Sequence, residues 1–166
     1  SVTGEVIYFT SGKTSSNENV LKVNQGNTKG VSVKYGGKTY TNGVKMESST
    51  NITLTLTAES KVTFVFDTAS KKFKIGDNSY TTGEDGTYTI TLKAGSYTIS
   101  KHDTGVALVA VDIQPTAPSI SISISTQPES TDYLAGATVK PLTVVATLDG
   151  YSLSYQWYEN TTNSNT

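Results

Sequence analysis

The chain has no cysteine, and reading along its 166 residues finds no arginine either: all 13 basic residues are lysines. Without Cys there is no disulfide framework, no thiolate metal site and no thiol nucleophile. Without Arg there is no planar fork for bidentate recognition of phosphates or base edges. A net charge of −1 likewise lacks the basic footprint of a nucleic-acid binder. Long apolar runs are absent too. Nothing approaches the roughly 20 residues that span a bilayer, so no membrane partner is indicated. No signal peptide opens the sequence; beginning Ser1-Val2-Thr3-Gly4, it reads as a piece of something larger.

Catalytic parts are scarce. The single histidine, His102, stands beside Asp103 between two strand-like segments, where an exposed loop residue is expected. No Gly-x-Ser-x-Gly elbow supplies a serine for it to activate. Acids are plentiful, 14 in all, yet none stands in an aromatic-lined segment of the kind that houses a glycosidase carboxylate pair. Asp77, Glu84 and Asp85 lie near glycines, but their spacing does not match a calcium loop. Gly12-Lys13-Thr14 and Gly37-Lys38-Thr39 imitate the end of a phosphate loop, but Ile7 and Ser32 stand where its first glycine belongs. No catalytic residue, metal site or cofactor is therefore assigned.

What is present is hydroxyl. The chain contains 28 Thr and 20 Ser, with 10 Tyr and 14 Gly, a composition that favours pleated, turn-rich structure over helix. Asn51-Ile52-Thr53-Leu54-Thr55-Leu56-Thr57 alternates strictly, as a strand with one buried face does. Val62 to Phe66 is denser in apolar residues and reads as a more buried strand. Val33-Lys34-Tyr35 and Lys38-Thr39-Tyr40 across Gly36-Gly37 form the clearest hairpin, since both central residues of a type I′ turn need positive φ. Phe73 to Ile75 with Ser79 to Thr81, and Tyr88 to Leu92 with Tyr97 to Ile99, read as two further hairpins. Val106 to Ile113 is a mostly apolar run suited to closing the sheet. At least eight short strands predict an antiparallel β-sandwich, jelly-roll-like rather than immunoglobulin-like.

Composition changes at Gln114-Pro115-Thr116-Ala117-Pro118. The expected organisation is a sandwich over residues 1–114, a linker over 115–119 and a second β segment over 120–166. The first 114 residues hold 12 lysines against 10 acids, the remainder one lysine against four acids. In the second segment, alternating Ile120, Ile122 and Ile124, then Gln127-Pro128, Gly136 and Ser154-Tyr155-Gln156-Trp157-Tyr158, resemble the first half of bacterial immunoglobulin-like repeats. That resemblance implies a partial immunoglobulin-like β segment, with Trp157 packed inside.

Lysines are the chemistry that remains. Lys29, Lys34, Lys38, Lys45 and Lys101 fall around the Gly-Gly hairpin and two loops, with Tyr35 and Tyr40 nearby. Lys13, Lys22, Lys71 and Lys72 read as ordinary solubilising surface. Three stretches carry a further resemblance: Thr28-Lys29-Gly30-Val31; Gly36-Gly37-Lys38-Thr39-Tyr40 followed by Val44-Lys45-Met46-Glu47-Ser48-Ser49-Thr50; and Ala94-Gly95-Ser96-Tyr97-Thr98-Ile99-Ser100-Lys101. In this order and spacing, over about residues 4–113, the chain resembles family 77 of the carbohydrate-binding modules, which are appended to bacterial pectate lyases. The resemblance implies a non-catalytic module that binds low-esterified homogalacturonan through Lys29, Lys45 and Lys101. Lys34 and Lys38 match less securely. Tyr35 and Tyr40 either touch the sugar face or act as ordinary cross-strand partners. Two departures are visible: Val44 stands for an expected Leu, and His102 for an expected Gly after Lys101.

The same resemblance implies a covalently linked catalytic domain, plant cell wall as the target, and a secreted, extracellular, bacterial setting. The chemistry agrees with it. A polyuronate is a regular array of carboxylates, and a lysine is a point charge on a flexible stem that tolerates varied approach angles. Methyl esterification would remove the charge and with it the attraction. The alternative expectation is a structural spacer or adhesin module, in which the lysines only solubilise the surface.

Overall fold

A computed structural model of the chain describes residues 4–10, 13–116, 122–129, 131–148 and 152–158. The chain divides into two compact units, residues 1–117 and 118–166. Among the described residues the first unit holds eleven strands: β1 (Glu5–Tyr8), β2 (Leu21–Gln25), β3 (Thr28–Tyr35), β4 (Lys38–Lys45), β5 (Asn51–Leu56), β6 (Ser60–Phe66), β7 (Lys72–Ile75), β8 (Asn78–Thr81), β9 (Thr87–Leu92), β10 (Gly95–Lys101) and β11 (Ala107–Pro115). One sheet runs β3-β4-β11-β6-β9 with β1 also on β11, and the other runs β2-β5-β10-β7-β8. Every pairing is antiparallel. The fold is an all-β sandwich.

The alternation read in β5 sets its packing. Ile52, Leu54 and Leu56 point inward and are buried, while the intervening threonines face outward. Opposite them β6 contributes Val62, Phe64 and Phe66 to the same core. Phe73 of β7 is the hub, with ring centroids 4.7 Å from Phe66, 5.2 Å from Phe64 and 5.8 Å from Tyr88. Tilted and edge-on contacts at these separations suit the ring quadrupoles.

Three expectations are refined by the topology. The apolar run at Val106 to Ile113 lies inside its sheet: β11 is flanked by β6 on one side and by β4 and then β1 on the other. The expected hairpin of Tyr88–Leu92 with Tyr97–Ile99 does not form. Strand β9 pairs with β6 in one sheet and β10 pairs with β5 and β7 in the other, so Lys93-Ala94 carries the chain between sheets. Each strand has its own apolar face to bury, and opposing sheets accommodate both; Tyr97 Oη donates to the Lys93 carbonyl at 2.9 Å and ties the crossover. The first part of the expected linker is strand, since β11 continues to Pro115 and Thr116 N donates to the Glu59 carbonyl at 2.9 Å.

The Gly-Gly hairpin forms with Tyr35 opposite Lys38 and φ of 56° and 78° at Gly36 and Gly37. It does not simply extend the sheet. Strand β4 pairs with β11 only at Ala107 and Leu108; beyond them, Tyr8 of β1 pairs with Ala110 and occupies that side of β11. The distal hairpin is thereby pushed over the outer face. Tyr35, on the edge strand β3, donates from Oη to Asp112 Oδ2 on β11 at 2.7 Å, and the Tyr40 ring lies 5.6 Å from that of Tyr8. This cover helps explain why Val65 and Ala110 are buried outside the central core cluster.

In the second unit, β12 (Ser123–Thr126) and β13 (Val145–Thr147) pair antiparallel. Trp157, expected inside, is 56 % exposed. Among the described residues of this unit only these two strands form, and a two-stranded sheet offers no opposing layer to cover an indole. Ile120 and residues 161–166 lie outside the described residues.

Candidate functional site

The matched lysines gather at one end of the sandwich, the end closed by the 102–106 loop. Lys101 is the last residue of β10, that loop follows it, and Ala107 opens β11 opposite Lys45, the last residue of β4. Lys29 sits near the start of β3, opposite Gly43. Strand pairing, rather than nearness in sequence, assembles the group.

Their environments differ. Lys29 is half-buried and engaged: its Nζ lies 2.6 Å from Asp67 Oδ2, and the Asp67 side chain is 9 % exposed. Asp67 Oδ1 in turn accepts from Ala107 N at 2.7 Å and from Thr68 Oγ1 at 3.1 Å. Lys29 starts on β3 and reaches a carboxylate at the end of β6, with β4 and β11 between them in the sheet. The small residues Gly43 and Ala107 keep that route low. A Cβ on Gly43 would come within 3.0 Å of the Leu108 carbonyl and 3.2 Å of the Ala107 Cβ.

Lys45 is exposed and has no carboxylate partner among the described residues. Val44 and Met46 on either side are buried in the core, so Lys45 projects from the outer face. Its backbone is anchored: Lys45 N donates to the Asn27 carbonyl at 2.8 Å, and its carbonyl accepts from Thr50 Oγ1 at 2.6 Å. The Lys-Met-Glu-Ser-Ser segment thus places a core residue, Met46, beside a fixed, outward cation.

Lys101 is half-buried and pairs with Phe73, so it stands at the rim of the sandwich, on the other sheet from Lys45. The loop that aims it is tied by Asp103. Asp103 Oδ2 accepts from Lys72 N at 2.9 Å, Asp103 N donates to the Lys72 carbonyl at 3.0 Å, and Oδ1 lies 2.9 Å from His102 Nδ1. The Lys72 N–H and then His102 hold the Asp103 carboxyl below its ordinary pKa. His102 is exposed, as read from the sequence.

This pairing brings in residues the sequence reading had assigned to plain surface. Lys71 and Lys72 precede Phe73 and so stand beside Lys101 and Asp103. The signal that would have found them is the partner of β7, which is not a local property of the sequence. Lys34 and Lys38 do not join the group: they lie at the hairpin tip, at the far end of β3 and β4. Tyr35 is committed to Asp112. Burial first and then that carboxylate push its hydroxyl up to about 12. Tyr40 is buried against Tyr8, and burial likewise raises its pKa.

An all-β sandwich with cations collected at one end is an architecture suited to binding; among the described residues no group of three or more His, Cys, Asp or Glu could hold a metal. The family model for carbohydrate binding module 77 matches residues 3–111, and the chain belongs to that family: it is a carbohydrate-binding module whose partner is a polysaccharide. A solved structure described as "The complexity of the Ruminococcus flavefaciens cellulosome reflects an expansion in glycan recognition" is similar at TM-score 0.59 and 30 % identity, over 69 % of this chain and 95 % of that one. A search of curated proteins finds no match.

Proposed function

We propose that this module binds low-esterified homogalacturonan without acting on it and, outside a bacterial cell, directs a linked pectate lyase to plant cell wall. The observation that supports this reading is the placement of Lys45 at the end of β4 and Lys101 at the end of β10, both at the end of the sandwich closed by the 102–106 loop, with Lys71 just ahead of β7. Each exposed lysine–carboxylate pair contributes only about 0–1 kcal/mol. Single-site binding is therefore weak, and tethering to an enzyme that holds the same polymer supplies avidity. Esterified pectin presents no charge to these lysines.

Lys29 has a different part in this reading. Its ammonium already pairs with Asp67, so it ties β3 to the end of β6 beside the site, and its contact with a ligand is secondary. The test is titration with de-esterified and with highly methylated homogalacturonan at low and high salt. Binding of the de-esterified polymer alone, weakened by salt and by Lys45→Ala, is expected. Absence of binding to both polymers would overturn the proposal and leave the spacer role. Equal binding to both would point to recognition of the sugar face.

A further inference from the structure

The departure of β4 from β11 opens a second feature, away from the lysine end. Between the end of β1 and the first half of β4 lies a groove of about 320 Å³, lined by Tyr8, Thr10, Lys38, Thr39, Tyr40 and Asn42 among others. Its exposed aromatic is Tyr8, at 39 %. The Tyr8 ring is held before any ligand arrives, because the buried Tyr40 ring packs on it at 5.6 Å with a 46° tilt. Around it are hydroxyls, one carboxamide and one ammonium. Lys38 is exposed and has no carboxylate partner among the described residues.

A preset aromatic face with hydroxyl-matching donors and acceptors beside it fits a pyranose ring, whose C–H face is apolar and whose rim is polar. The added ammonium fits a ring that carries a carboxylate. From these features we infer that the groove is a second subsite, taking one hexuronosyl residue of an acidic polysaccharide with its ring on Tyr8 and its carboxylate toward Lys38. The inference rests on the reading that the module binds an acidic polysaccharide, but uses different residues. Lys38 and Lys45 are the two ends of β4, roughly 23 Å apart along the strand at about 3.3 Å per residue. Two such places on one module would engage one long chain twice, or two chains at once.

The test is amide-shift mapping of the whole chain by NMR during titration with de-esterified galacturonate trimer, too short to bridge both places. In the wild type, and in the Lys45→Ala/Lys101→Ala double variant, the amides of Tyr8 to Thr10 and Thr39 to Asn42 should move along one saturable isotherm. Tyr8→Ala should abolish that movement. Lys38→Ala, an exposed change that leaves the packing intact, should weaken it about two- to five-fold, the upper part of what an exposed ion pair contributes. Unmoved groove amides in the wild type overturn the inference even if those around Lys45 and Lys101 respond. An equal response to a neutral galactose trimer also overturns it, because the ammonium would then select nothing. Movement confined to the groove upholds the inference while removing the lysine end from the binding surface.

Discussion

Lys29 Nζ and Asp67 Oδ2 meet at 2.6 Å, joining the edge strand of one sheet to the far end of β6, with Gly43 and Ala107 beneath the link. The pair is intermediate in burial: the Lys29 side chain is 38 % exposed and the Asp67 side chain 9 %. Lys29→Ala should therefore cost about 1–2 kcal/mol, between the small value of an exposed pair and the 3–5 kcal/mol of a buried charge left alone. Lys45→Ala should change stability by less than about 0.5 kcal/mol, as an exposed substitution does. Denaturant unfolding of the two variants checks the contrast.

Binding should divide the other way. Lys45→Ala and Lys101→Ala are each expected to weaken de-esterified homogalacturonan binding about two- to five-fold with unfolding unchanged. Lys29→Ala should lower stability more than affinity. Calorimetric titration at low salt measures the affinities, and a larger affinity loss for Lys29→Ala than for Lys45→Ala would reverse the assignment.

Asp103 is expected to act through Lys101. Its carboxyl is depressed by the Lys72 N–H, with His102 adding to the effect. A depressed folded-state pKa means that the stabilisation is complete above the ordinary carboxylate pKa and is lost as pH falls through the lower folded value. Asp103→Ala should remove that acid-side loss, loosen the 102–106 loop and weaken ligand binding at neutral pH. Stability measured from pH 2 to 6, with a titration at pH 7, tests both effects.

Tyr35 makes the opposite alkaline prediction. Its pKa is raised to about 12, chiefly by burial and then by Asp112. The protonated hydroxyl is the stabilised form, so its contribution is full below the ordinary tyrosine value near 10 and is lost as pH rises toward 12. Loss of stability across that window should be smaller in Tyr35→Phe, which cannot ionise. Spectroscopic titration of the tyrosines in the wild type and in Tyr35→Phe, alongside unfolding, separates Tyr35 from the others, Tyr40 included.

Phe73 is the stability test of the core. It is 1 % exposed and touches Phe64, Phe66, Tyr80 and Tyr88. Phe73→Ala should cost about 3–5 kcal/mol, as large-to-small changes at packed aromatic sites do. Because Lys101 pairs with Phe73, the variant should also bind less tightly even under conditions where it remains folded.

Much of the fold was legible along the chain because a strand with one buried face writes its register into every second residue. Asn51 to Leu56 carries its inward set openly, and Gly36-Gly37 announces a turn with positive φ at both positions. The hairpin assigned across Lys93 to Ser96 failed because a short loop between two alternating segments looks the same whether the strands pair or cross between sheets. The candidate site was half legible. Lys29, Lys45 and Lys101 lie within matching motifs, but Asp67, which engages Lys29, is 38 residues away. Lys71 joins them only through the pairing of β7 with β10.

Local chemistry alone therefore determined the all-β character, the principal turns, the lack of thiol and guanidinium chemistry and the reservoir of lysines, since these follow from residue type and period. Tertiary structure decided that Lys29 is ion-paired while Lys45 has no carboxylate partner among the described residues. That outcome depends on pairings distant in sequence: Lys29 reaches Asp67 across Gly43 and Ala107, where β4 and β11 stay together. Beyond that point β1 takes the place on β11 that β4 gives up, and this competition folds the hairpin over the sheet and opens the Tyr8 groove.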